Sequence, residues 1–136
     1  RLLYIAYGET DDGAHDGEYD EYLRSAKQTD AYLKEIWETL QADPHYRNKT
    51  TMLITVDHGR GTTKESWKSH GADVPGAGQV WLIAIGPDTP ALGEIKQEGQ
   101  WHSAMLPRTI FQLLGLDYPD AKAAQVLPWV IGEKGN

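Results

Sequence analysis

An α/β fold, with a mostly parallel sheet flanked by helices, is the architecture this sequence predicts. Three observations carry that reading. Short, nearly continuous apolar runs end in glycine or polar clusters, a long segment of helical periodicity separates the first two runs, and a short helix bounded by proline and glycine follows the third. A strand–helix–strand connection of this length favours parallel pairing with a right-handed crossover.

The first run is Leu2-Leu3-Tyr4-Ile5-Ala6-Tyr7, closed by Gly8 and an acidic cluster. A run apolar on both faces reads as a buried strand of a parallel sheet. Residues from about Glu18 to Gln41 read as a helix, because Tyr22, Leu23, Ala26, Leu33, Ile36, Trp37 and Leu40 recur at three- and four-residue steps. Glu18, Asp20 and Glu21 stand where the helix dipole favours acids. Asp43-Pro44 ends it, since a residue before proline avoids helical backbone angles.

Thr51-Met52-Leu53-Ile54-Thr55-Val56 is the second strand, rich in β-branched residues, and it runs straight into Asp57-His58-Gly59. Residues 60–78 are polar and glycine-rich and read as a loop. Val80 to Ile85 is the third strand, stopped by Gly86-Pro87. Pro107 to Leu114 reads as a short helix, with proline in the first turn and Gly115 as the stop. The tail after Leu116 is weaker, broken by Pro119 and Pro128. With no repeats and no linker composition, the 136 residues read as one compact unit. The chain opens at Arg1 without a methionine and enters an apolar run at once, which reads as a piece of a longer protein.

Thirteen basic residues against twenty acidic ones give a net charge of −7. That argues against a nucleic-acid partner, since phosphate backbones demand a Lys/Arg surplus. An acidic balance suits a site that holds divalent cations. There is no cysteine, so disulfides and thiolate metal sites are excluded, and a metal must be held by His, Asp or Glu. Those donors point to a hydrolytic ion such as zinc, with manganese as the alternative. No apolar run approaches the roughly 20 residues of a membrane helix, and oligomeric state is not readable.

Ligands in open α/β sheets gather beyond the C-terminal ends of strands. Two polar clusters follow strands directly: residues 9–15, Glu-Thr-Asp-Asp-Gly-Ala-His, and Asp57-His58-Gly59. Parallel strands would place both on one sheet edge, and the loop bearing His70-Gly71 would fold back over it. Asp11 and His15, four apart in a glycine-containing turn, suit chelation of one ion. Asp57 and His58 are adjacent, so their side chains diverge toward different partners. Two metals about 4 Å apart clamp the attacking and leaving oxygens of a phosphoryl transfer. Each motif alone is weak; their combination carries the argument. His45 falls in a turn on the opposite edge and is set aside. His102 reads as structural or surface, Arg60 and Lys64 as loop surface rather than phosphate contacts, and Glu9 and Asp12 as supports for the ligands.

Asp11-Asp12-Gly13-Ala14-His15, Thr55-Val56-Asp57-His58-Gly59, and His70-Gly71 followed by Val74-Pro75 resemble, in that order, the motifs of the alkaline phosphatase superfamily. The branch they most resemble holds type I phosphodiesterases/nucleotide pyrophosphatases, sulfatases and cofactor-independent phosphoglycerate mutases. The resemblance spans residue 2 to about residue 118 and implies an alkaline-phosphatase-like fold, of which this chain is the C-terminal portion. It implies that Asp11, His15 and His70 bind one of two divalent ions, and that Asp57 and His58 bind the other. It also implies a Ser or Thr nucleophile, and a further Asp ligand, upstream of this chain; no catalytic residue is expected within it. Family members are often exported. The implied function is metal-dependent hydrolysis of a small-molecule phosphate or sulfate ester. The alternatives are a phosphomutase on the same scaffold and a metal-binding domain without catalysis. Many mutases and sulfatases place Thr after the His70 position, where this chain has Gly71.

Overall fold

A computed structural model describes residues 1–120, 122 and 124–132. Its elements, in chain order, are α1 (Glu9–His15), α2 (Tyr19–Ala42), β1 (Met52–Thr55), β2 (Leu82–Ile85), a 3-10 turn at Ser103–Met105, and α3 (Leu106–Leu113). They divide between two units: Leu2–Arg47 with Thr55–Trp81, and Asn48–Ile54 with the described part of Leu82–Asn136, which Arg1 joins. The division falls inside β1 and just before β2, not in a Pro/Gly-rich spacer, so no linker composition marks it.

In the first unit, the cluster after Gly8 is a two-turn helix and not the turn the sequence suggests. Both Asp11 and Asp12 donate their backbone N–H to the Gly8 carbonyl, at 2.9 and 3.1 Å, and close the first turn. Glu9, Asp11 and Asp12 occupy that turn and His15 the last, so the charges complement the helix dipole. Gly13 weakens a helix by about 1 kcal/mol against alanine. Here a Cβ on it would lie 3.1 Å from the Tyr22 backbone nitrogen, so its absence lets α1 lie close against α2. Gly17, at φ 78°, turns the chain between the two helices.

α2 matches the periodic segment and ends where Asp43, at φ −85° and ψ 120°, takes the extended backbone that Pro44 imposes. Tyr22, Leu33, Ile36, Trp37 and Leu40 are half-buried, while Leu23 and Ala26 are exposed and Ser25 is buried in their place. The run Leu2 to Tyr7 forms no strand, and Leu2, Leu3, Tyr4 and Ile5 are exposed. A strand needs a hydrogen-bonding neighbour, and among the described residues none pairs with this run. Tyr7 instead stacks on Tyr32 of α2, ring centroids 5.8 Å apart.

In the second unit, β1 and β2 form the sheet of the described residues, and they run antiparallel. The start of β1 meets the end of β2: a Cβ on Gly86 would lie 2.6 Å from Thr51 Cα. β2 alternates, with Leu82 and Ala84 against the core and Ile83 and Ile85 exposed. The core is Met105, Leu127 and Val130, with Leu53, Trp101, Leu106 and Leu113 packed around it. α3 stops at Gly115 (φ 69°), whose N–H bonds the Gln112 carbonyl while the Leu116 N–H reaches back to Phe111. That bond pair is the Schellman stop the glycine predicts. No helix among the described residues is long and apolar enough to cross a membrane.

Thr109 ties the tail to α3. It is wholly buried, its hydroxyl donates to the Met105 carbonyl at 2.8 Å, and it accepts the Leu127 N–H at 2.9 Å. Thr109→Val keeps the shape and strands a buried N–H. Such a loss costs about 1–3 kcal/mol, expected as a lower midpoint in urea denaturation with unchanged slope.

Candidate metal centre

Helix periodicity sets the first pair. Residues four apart on a helix share a face, and His15 Nε2 lies 3.4 Å from Asp11 Oδ2 on α1. The second contribution follows β1 directly. Gly59 is pinned by its N–H to the Ala77 carbonyl at 2.7 Å, and its own carbonyl lies 2.9 Å from His58 Nδ1. A carbonyl only accepts, so Nδ1 donates to it and Nε2 is the nitrogen turned toward a ligand. That Nε2 points at Asp11 Oδ1, 3.8 Å away.

The third contribution comes from the loop. Trp67 is held edge-on by Tyr19 and Tyr22, at centroid distances of 5.2 and 5.9 Å, which docks the loop on the start of α2. The Gly61 N–H bonds the Ser69 carbonyl at 3.0 Å and fixes the backbone just before His70. His70 then stacks on His58 with ring centroids 3.8 Å apart and planes 10° apart. Its Nε2 lies 2.9 Å from His15 Nε2 and 3.7 Å from Asp11 Oδ1.

Four of the five expected ligands therefore meet: Asp11, His15, His58 and His70. His58 Nε2 borders both expected sets, 3.8 Å from Asp11 Oδ1 and 3.7 Å from Asp57 Oδ2. His58 stands with Asp11 and His70, their donor atoms all within 4.8 Å of one another, while His15 joins through Asp11 and His70. Asp57 is 89 % exposed, with Oδ2 3.7 Å from His58 Nε2. Its Oδ1 accepts the His58 N–H at 3.0 Å, which holds it at the rim. His45 lies elsewhere, its N–H bonded to Asp43 Oδ1 at 2.7 Å. His102 is exposed in the other unit.

No known protein family, curated protein or solved structure matches the chain.

The Asp11 contacts are near the length of a zinc coordination edge, whereas the His15 and His70 nitrogens, 2.9 Å apart, stand closer than two ligands of one zinc. Zinc bonds of about 2.0–2.1 Å to nitrogen and oxygen imply ligand–ligand edges of about 3.4 Å. Asp11 lies 3.4, 3.8 and 3.7 Å from the His15, His58 and His70 nitrogens. One carboxylate and three imidazoles suit zinc and, less strongly, manganese.

Arg60, whose sequence position suggests loop surface, belongs to the site. It is only 13 % exposed; its Nη2 pairs with Asp11 Oδ1, and its Nη1 donates to the Lys68 carbonyl at 3.1 Å. Lys64 is exposed, as expected of loop surface.

Proposed function

We propose that this chain supplies the metal-holding part of a two-metal phosphate or sulfate ester hydrolase built on a mostly parallel, alkaline-phosphatase-like sheet. The observation that carries this reading is the convergence of Asp11, His15, His58 and His70 from three separate stretches of chain. Asp11 brings the negative charge, and the imidazoles bring neutral donors. The Gly59 carbonyl orients His58, the role that outer partners of metal-bound histidines play. The His58 and His70 rings brace each other, so both donors are positioned in advance. The cluster is half-open, with His15 52 % exposed, which leaves room for a small ester. Bound divalent ions would polarise the ester oxygen and steady the leaving oxygen. The nucleophile in this proposal is a Ser or Thr from upstream sequence of the intact protein.

The test has two stages. Calorimetric titration of the purified chain with zinc is expected to give a dissociation constant of about 1 µM or tighter, equivalent to about 8 kcal/mol. The intact protein is expected to hydrolyse an activated aryl phosphodiester and to lose that activity on chelation. A chain that takes up no zinc or manganese rules out the reading at the first stage. Hydrolysis that survives complete metal removal rules it out at the second.

A further inference from the structure

One oxygen at the centre is shared by two imidazoles and a guanidinium. Asp11 Oδ1 faces His58 Nε2 at 3.8 Å and His70 Nε2 at 3.7 Å, and the Arg60 guanidinium pairs with that same atom. Arg60 does not reach it from open solvent. Its side chain is 13 % exposed, its Nη1 is anchored to the Lys68 carbonyl at 3.1 Å, and its Nη2 also lies 3.4 Å from the Asp11 carbonyl.

A guanidinium keeps its charge and has only donors, so it can never be a metal ligand. It is a fixed positive charge on the carboxylate oxygen that stands between two imidazole donors. We propose that Arg60 is the resident counter-cation of this site, and that a divalent ion must take Asp11 from it to bind. The proposal rests on the metal reading above and adds a regulatory element to it. The Arg60–Asp11 pair keeps the half-buried carboxylate neutralised when metal is scarce and raises the free-metal concentration at which the site fills. The anchor to Lys68 survives the exchange, so the arginine is displaced without the loop unfolding.

Coulomb's law sets the size. A unit charge about 5 Å from a divalent ion, even at the dielectric of water, weakens binding about tenfold. The same charge acting as a mere support for Asp11 would have the opposite sign, because removing a support weakens a ligand.

The experiment is a zinc titration by calorimetry of the unaltered chain, Arg60→Gln and Arg60→Lys, with His70→Ala as the ligand control. The expected result is about tenfold tighter zinc binding by Arg60→Gln, while Arg60→Lys, which keeps the charge, stays near the unaltered chain. Equal or weaker binding by Arg60→Gln, with the unaltered chain binding zinc and His70→Ala not, overturns this proposal and leaves the metal reading standing. No zinc binding by the unaltered chain overturns both. Should Arg60→Gln fail to fold by circular dichroism, the unaltered chain decides the matter by nuclear magnetic resonance. The Arg60 side-chain signal then shifts in step with added zinc, and a signal that stays in place while zinc binds overturns the proposal.

Discussion

Replacing His70 by alanine is expected to weaken zinc binding by at least about a hundredfold, and replacing His102 by alanine to leave it unchanged. Losing a group that merely orients a ligand costs about 10–100-fold, and His70 is more than that. Its Nε2 lies 2.9 Å from His15 and 3.7 Å from Asp11, and its ring is the stacking partner of His58. His70→Ala thus removes one donor and the brace of a second. His15→Ala removes a donor that is half exposed and outside the Asp11–His58–His70 trio, so its cost is expected to fall between the other two. Thermal denaturation gives a second readout. Zinc at a hundred times its dissociation constant stabilises a folded binder by about 2.7 kcal/mol. That gain should vanish in His70→Ala and persist in His102→Ala. Three alanine variants with indistinguishable titrations would mean the ligands have been misassigned.

The elements legible in the sequence are those whose signals are local. α2 follows from three- and four-residue apolar spacing and from Asp43-Pro44, and α3 from Pro107 and Gly115, all of which act within a turn or two of the chain. β1 and β2 follow from β-branched runs, though each is shorter in the structure than its apolar run. α1 was hidden because its seven residues hold a glycine and no apolar stripe; what stabilises it is charge placement and the close approach of α2 at Gly13. The tail was underrated for the same reason. Leu127 and Val130 sit in proline-broken sequence, yet they form the core with Met105 through contacts across some twenty residues of chain.

The site divides along similar lines. Residue type and order brought Asp11, His15, His58 and His70 forward, because carboxylate and imidazole are what a thiol-free chain has for a metal. Which donors stand together was not legible. That depends on the helical path of α1 and on the docking of Trp67 against Tyr19 and Tyr22, which carries the loop to His58. Arg60 was misjudged because loop composition says nothing about burial, and its pairing with Asp11 needs the chain to return across 49 residues.

Gly59→Ala is expected to damage fold and site together. A Cβ at this position would overlap the carbonyl oxygens of Gly76 and Gln79, which are backbone atoms and cannot swing aside as a flexible side chain does. Either Gly59 moves or the segment carrying residues 76–79 does, and its bond to the Ala77 carbonyl, at 2.7 Å, resists both. Overpacking of this kind costs about 1–3 kcal/mol. The displacement also reaches the chemistry, because the Gly59 carbonyl holds His58 Nδ1 at 2.9 Å and so aims Nε2 at Asp11. Zinc affinity should therefore fall along with the urea midpoint, about tenfold if the carbonyl acts only by orienting the ring. Gly78→Ala is the matched control. A Cβ there meets nothing within 4 Å, so both readouts should stay close to the unaltered chain. If Gly59→Ala titrates and denatures like Gly78→Ala, the rigid backbone cradle behind His58 does not exist.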